Sequence, residues 1–162
     1  MKWVKQSIHY WCPDTKEQKF LGQNVTVAIL DTGISPHPDF KGRILSFRDF
    51  SNTTGSSEKV LFSFSHFSPL IDNSGHGTHV AGILAGSGLL SSGTYAGIAP
   101  FCNLIIGKVL DQNGNGSIKN VINGIQWIRD IYTQFHIRII NISVGTRPDL
   151  SIHQKLLLLN AV

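Results

Sequence analysis

The chain has 162 residues, 41% hydrophobic and only 15% charged, with a formal net charge of +4 at pH 7. That length suits one domain able to bury roughly two thirds of its unfolded surface, and so few charges argue against a disordered tail. The lysines and arginines form no run and no basic helical face, and no apolar stretch is long enough to span a bilayer, so neither a nucleic-acid partner nor a membrane is expected.

In chain order, 1–23 reads as an N-terminal extension. Its "MKWVKQSIHYWCPDTKEQKF" has no apolar core of signal-peptide length and no small-residue cleavage site, which gives a cytoplasmic expectation. Cys12 and Cys102 lie far apart and in no CxxC pair; they read as two free buried thiols, not as a disulfide or a metal site. From Asn24 strands and helices alternate. "NVTVAIL" (24–30) is a β-branched strand that stops abruptly at Asp31-Thr32-Gly33, and "RILSFRDF" (43–50) is a second. The segment 51–74, rich in Ser, Thr, Gly and Phe without helical period, reads as loop or irregular strand. "DNSGHGTHVAGILAG" (72–86) becomes a helix that ends in the flexible "GSGLLSSGTYAG" (86–97).

"NLIIGKVL" (103–110) is a near-continuous apolar strand, followed by the turn "DQNGNG" (111–116). In "SIKNVINGIQWIRDIYTQF" (117–135), Ile118, Val121, Ile122, Ile125 and Ile128 recur at spacings of three and four. That is an amphipathic helix, with Ser117 as its N-cap. "IRIINISV" (137–144) reads as another buried strand, and "SIHQKLLLLNAV" (151–162) begins a further helix. Strands apolar throughout and separated by helices give an α/β fold, three layers α/β/α around a mostly parallel sheet covered on both faces.

An open parallel sheet carries its functional groups at the carboxyl ends of its strands, and Asp31 ends the first of them. The tripeptide D-T-G alone supports two readings, a turn or a carboxylate held at the rim of the core. The histidine stretch shifts the balance toward the second. Ser74 or Gly75 can cap the helix, which places His76 in its first turn, facing the mouth of the sheet. Gly77, Ala81, Gly82 and Ala85 lack bulk and let the helix approach the sheet closely. A catalytic imidazole needs one carboxylate to fix its tautomer and stabilise its cation, and Asp31 with His76 is the candidate pair. His79 admits a metal reading with His76 and Asp31 or Asp72, but is read as a packed, hydrogen-bonded structural residue. Asp72 is read as a structural aspartate that can orient loop backbone.

The same segments carry a resemblance. "VAILDTGISPHPDF", "GHGTHVAGILAG", "GIAP", "KVLDQNGNGS", "INGIQW" and "INISVG" stand in the order and contexts of the subtilisin-like serine peptidases, from about Asn24 to the C-terminus. The resemblance implies a serine endopeptidase with Asp31 as triad aspartate and His76 as general base. Ser143, Val144 and Gly145 resemble the strand edge that lines the S1 pocket, and Gly114, Asn115 and Gly116 the segment facing it. Together they would hold a peptide or protein substrate, extended, by strand addition. No cofactor is required for that chemistry. Asp39 matches a position that supplies a calcium ligand in some relatives, while 86–97 shows no clear companion ligands, which leaves a structural calcium open.

One departure is large. The family's nucleophile begins a later helix in a G-T-S-M-A type motif, and its oxyanion-hole asparagine follows the next strand; neither stands in these 162 residues, nor does a G-x-S-x-G motif. Ser74, Ser117 and Ser143 lack a nucleophile's setting. The expectation is a C-terminally incomplete, subtilisin-like fold over 24–162, the front portion of a catalytic domain and inactive by itself. Two rival functions stay open, a non-catalytic module that binds extended peptide and a metal hydrolase using His76, His79 and a carboxylate.

Overall fold

A computed structural model describes residues 2–8, 10, 20–51, 60–61 and 71–145. Its elements in chain order are α1 (Lys2–Ser7), β1 (Thr26–Asp31), β2 (Ile44–Asp49), β3 (Val60–Leu61), α2 (His76–Ala85), β4 (Asn103–Lys108), α3 (Ile118–Ile131) and β5 (Ile137–Ile142). Short 3-10 turns stand at Pro38–Phe40 and Leu89–Ser91. The helix expected over 151–162 and most of the segment 51–74 lie outside the described residues, as does Cys12.

Every residue of β1 is buried. Successive side chains of a strand point to opposite faces, so a strand apolar throughout must be covered on both. Val27 and Ile29 join one apolar cluster, Ala28 and Leu30 the other. β4 repeats the division, with Leu104 and Ile106 on the first face and Ile105 on the second. α2 covers the first face through Ala81 and Ala85, and α3 covers the second through Val121, Ile122, Ile125 and Ile128. The expected three layers form. Burying a side chain such as Ile29 or Ile106 contributes roughly 1.5–3 kcal/mol.

The sheet order is β3-β2-β4-β1-β5, and all pairs are parallel except the two-residue β3 against β2. β1 therefore lies between β4 and β5, and its register with β4 runs from Thr26–Asn103 to Asp31–Lys108. In parallel strands the carboxyl ends share one side, so the segments leaving β4 and β5 flank Asp31. Ser117 caps α3 as expected, accepting the Asn120 amide at 3.1 Å. Before β1, α1 is tied to the loop after α2. Lys5 Nζ donates to the Gly97 carbonyl at 2.8 Å, and the Tyr10 hydroxyl donates to that of Ile98 at 2.6 Å.

One strand departs from its reading. The apolar run 137–144 was expected to be buried, yet Ile139 and Ile140 are 52% and 43% exposed, and Ile142 is exposed too. Among the described residues β5 is a sheet edge that pairs with β1 alone, and of its residues Ile137 alone reaches the cluster under α3. An apolar strand sequence records that cover is needed, not which element supplies it.

Candidate active site

Two turns meet at the carboxyl end of β1. Gly33, at φ 118°, turns the chain away directly after Thr32, in a conformation that L side chains rarely adopt. A Cβ on Gly77 would collide with the Gly33 carbonyl oxygen and stand 3.2 Å from the Asp31 Cβ. The missing side chain is what lets the first turn of α2 rest on the turn after β1. Gly82 plays no part in this approach, because a Cβ there would meet open space. The buried stripe of α2 is Gly77, Ala81 and Ala85, one helical face at four-residue spacing.

His76, the first residue of α2, donates its Nδ1–H to Asp31 Oδ1 at 2.7 Å. The Thr32 amide donates to the same oxygen, also at 2.7 Å. Asp31 Oδ2 is buried and takes no hydrogen bond among the described residues. The Asp31 side chain is 0% exposed and that of His76 is 51% exposed. The ring is thus anchored at one nitrogen and open along its other edge. Its pKa is raised, first by the hydrogen bond to Asp31, then by that residue's charge, with burial opposing and Asp72 adding to the rise. An imidazole held in this way can take up a proton at Nε2 while the carboxylate stabilises the cation that forms.

Gly75 is the N-cap of α2 and offers no side chain to the helix's free amides. Asp72 and Thr32 supply that cap from outside the helix. Asp72 Oδ1 accepts from the amides of Ser74 (3.2 Å) and Gly75 (2.9 Å) and from the Thr32 hydroxyl (2.8 Å). Its Oδ2 accepts from the Thr78 amide (2.8 Å) and hydroxyl (2.5 Å). Thr32 Oγ1 in turn accepts the Gly77 amide at 2.9 Å. Burial alone would raise the Asp72 pKa, but the bonds from Thr78, Gly75 and Thr32 outweigh it and leave the carboxyl below its usual value. The reading of Asp72 as an organiser of loop backbone understated its reach, because it also grips the D-T-G turn.

Lys108 was not singled out by sequence. Its Cα faces that of Asp31 across the sheet, its side chain is buried, and Nζ donates to the carbonyls of Thr32 (2.5 Å) and Leu110 (3.0 Å). The ammonium thereby joins the turn after β1 to the segment after β4. A lysine inside an apolar strand, next to a strand ending in aspartate, was the available signal.

The segments that the resemblance assigns to substrate are the ones that leave β4 and β5. After β4, Asp111 closes a turn. Its Oδ1 accepts from the amides of Asn113 and Asn115, its amide donates to the Asn115 carbonyl, and its own carbonyl accepts from Gly114. The Gly114 carbonyl and both backbone groups of Gly116 take no hydrogen bond among the described residues. After β5, Ser143 and Gly145 are exposed and Val144 is partly buried, with Ser143 Oγ accepting from Asn141 Nδ2 at 2.8 Å. His79 is a correction. It is exposed rather than packed, since it lies two positions from Gly77 and so on the far side of α2 from the buried stripe. Among the described residues no three His, Cys, Asp or Glu side chains stand together as a metal site, and the metal-hydrolase reading finds no support. Cys102 is free and buried, as read.

Comparison with known proteins bears on the whole arrangement. The Subtilase family model matches residues 22–157. The serine protease AprX of Bacillus subtilis (strain 168) is 44% identical over 110 residues, covering 68% of this chain and 22% of that protein. The major intracellular serine protease of the same strain is 37% identical over 131 residues, covering 80% of this chain and 36% of that protein. Among solved structures, the CspB protease of Clostridium perfringens matches with a TM-score of 0.70 at 25% identity, covering 87% of this chain and 33% of that one. The chain thus spans between 22% and 36% of the length of these relatives.

Proposed function

This chain belongs to the subtilase family, and from that premise we propose that the protein carrying it is a serine endopeptidase in which Asp31 and His76 are the acid–base half of the triad. The observation that supports the reading is the 2.7 Å bond from Nδ1 of a half-exposed histidine to a fully buried aspartate. Asp31 fixes the tautomer that leaves Nε2 as acceptor. Nε2 then takes the proton of the attacking serine hydroxyl and returns it to the leaving amine, and Asp31 stabilises the imidazolium between the two steps. The serine is the one the family carries in its G-T-S-M-A setting, a motif these 162 residues do not contain. Asp31 and His76 by themselves orient a base with nothing to activate, so the 162-residue chain alone should not turn over.

Substrate is a peptide or protein segment in extended form. Gly114 offers a carbonyl and Gly116 an N–H and a carbonyl, each without a bond among the described residues, and such groups extend a sheet by one strand. Ser143, Val144 and Gly145 lie on the opposite flank of Asp31 and would line the pocket for the residue before the cut bond.

Fluorophosphonate labelling tests the assignment. The longest product of the gene that contains this segment should label at a serine outside it, and the His76→Ala variant should lose that label. The purified 162-residue chain should take none. Undiminished labelling of His76→Ala, or labelling of the 162-residue chain itself, would overturn the proposal.

A further inference from the structure

Asp39 sits in the 3-10 turn Pro38–Phe40 and faces the loop that follows α2. Calcium binding requires six to eight oxygens turned toward the ion. Around Asp39 the polarity is the reverse. The Gly88 amide donates to Oδ2 at 3.0 Å and the Leu90 amide to Oδ1 at 3.4 Å, so hydrogens, not lone pairs, converge on the carboxylate. Two of the loop's carbonyls are already engaged within it. The Gly88 carbonyl accepts from the amides of Ser91 and Gly93 and from the Ser91 hydroxyl, and the Gly86 carbonyl accepts from Gly97. No aspartate or glutamate occurs in 86–97. The donor set does not fit calcium.

A cation of another kind already stands at this junction. Arg43 precedes β2, and its guanidinium is half-buried. Nη1 donates to the Cys102 carbonyl at 2.9 Å. Nη2 donates to the carbonyls of Ala85, at 2.6 Å, and Asp39. Three segments are tied by one side chain: the turn before β2, the last residue of α2, and the lead-in to β4. These are main-chain oxygens of the sort a metal ion gathers, but they are arranged for a planar fork of N–H donors. We propose that the Arg43 guanidinium takes the place of a bound cation here, with Asp39 holding the 88–90 loop through its amides, so that the junction is held without metal.

The experiment uses the longest product of the gene that contains this segment, and reads the thermal midpoint in calcium and in chelator. Calcium bound elsewhere in the protein would shift wild type, so the deciding quantity is how that shift changes in Asp39→Asn, which keeps the size and one acceptor oxygen. The midpoint of Asp39→Asn should fall, and the calcium-minus-chelator difference should equal that of wild type. A difference that shrinks or vanishes in Asp39→Asn would overturn the proposal. In a second arm, Arg43→Ala should lose several degrees, and dilute guanidinium should restore part of the loss where an equal concentration of sodium does not. Equal response to the two salts would overturn the role given to Arg43. If Arg43→Ala does not fold, Arg43→Lys serves, since a single ammonium cannot reach all three carbonyls.

Discussion

His76 Nδ1 and Asp31 Oδ1 lie 2.7 Å apart although 45 positions separate them in the chain, and the ring is half-exposed while the carboxylate is fully buried. The contact sets the direction of the pH response. Because the folded ring has a raised pKa, the pairing stabilises the fold fully below the ordinary value of 6.5, and that contribution fades as pH rises through the raised folded value. If His76 is the general base proposed above, the activity of the longer gene product follows the opposite sense, since a general base must be neutral, and its turnover should climb with pH through the same value. In Asp31→Asn the His76 titration should move down toward 6.5, read from the ring C–H proton shift by NMR. In the longest product of the gene, the proposed triad role predicts that Asp31→Asn lowers kcat on the order of 10⁴-fold, comparable to the loss for subtilisin when its triad aspartate is removed. A His76 titration that does not move in Asp31→Asn would mean that the bond does not set the ring's basicity.

Asp72 yields a second expectation. It accepts five hydrogen bonds that satisfy the start of α2 and clamp it to Thr32. Asp72→Ala leaves those donors without a charged partner and should cost about 2–3 kcal/mol, with Asp72→Asn intermediate. The pKa of Asp72 is lowered, so its contribution is present above 3.8 and is lost as pH falls through the lower folded value. Denaturant titration at neutral and at acid pH checks both statements. The gap between wild type and Asp72→Ala should narrow only in acid, toward the gap that Asp72→Asn shows.

Asp31, His76 and Asp72 mark where sequence was readable and where it was not. Asp31 and His76 could be paired from the chain because strand-end carboxylates and helix-start rings converge on one rim of a parallel sheet. The spacing of Ile118, Val121, Ile122, Ile125 and Ile128 fixed α3 and its apolar face, because helical periodicity is local. Asp72 was visible as a loop aspartate, and its bond to the Ser74 amide is a local turn signal. Its grip on Thr32, 40 positions away, is not local and left no trace in spacing. Lys108 was obscured for the same reason, since its bond to the Thr32 carbonyl crosses 76 positions. The exposure of β5 was unreadable because an edge strand and a central strand can share one composition.

Gly77 carries a third expectation, resting on geometry that composition only hinted at. Gly77→Ala would normally favour a helix by about 1 kcal/mol. Here the new methyl meets the Gly33 backbone oxygen, which cannot rotate aside as a side chain could. The balance should be a destabilisation of about 1–3 kcal/mol as α2 is pushed off the D-T-G turn. The same displacement lengthens the His76–Asp31 bond, so the His76 titration should drop together with the thermal midpoint. Gly82→Ala is the control on the same helix, where open space leaves only the gain in helix propensity, and it should be neutral or mildly stabilising.

The last expectation separates two strands that read alike. Ile106 in β4 is 0% exposed and lies in the cluster under α2, whereas Ile139 in β5 is 52% exposed. Truncating Ile106 to alanine removes packed methylenes and leaves a cavity, at a cost of about 2–5 kcal/mol. Ile139→Ala removes atoms that water already reaches, and should stay within about 0.5 kcal/mol. Denaturant midpoints of the 162-residue chain decide the matter. An Ile139→Ala loss as large as that of Ile106→Ala would require a partner to cover β5 in solution. The exposed row of isoleucines makes the isolated chain prone to edge-to-edge association, so both variants should be compared across a range of protein concentrations. A loss at Ile139 that grows with concentration would identify that partner as a second copy of the chain.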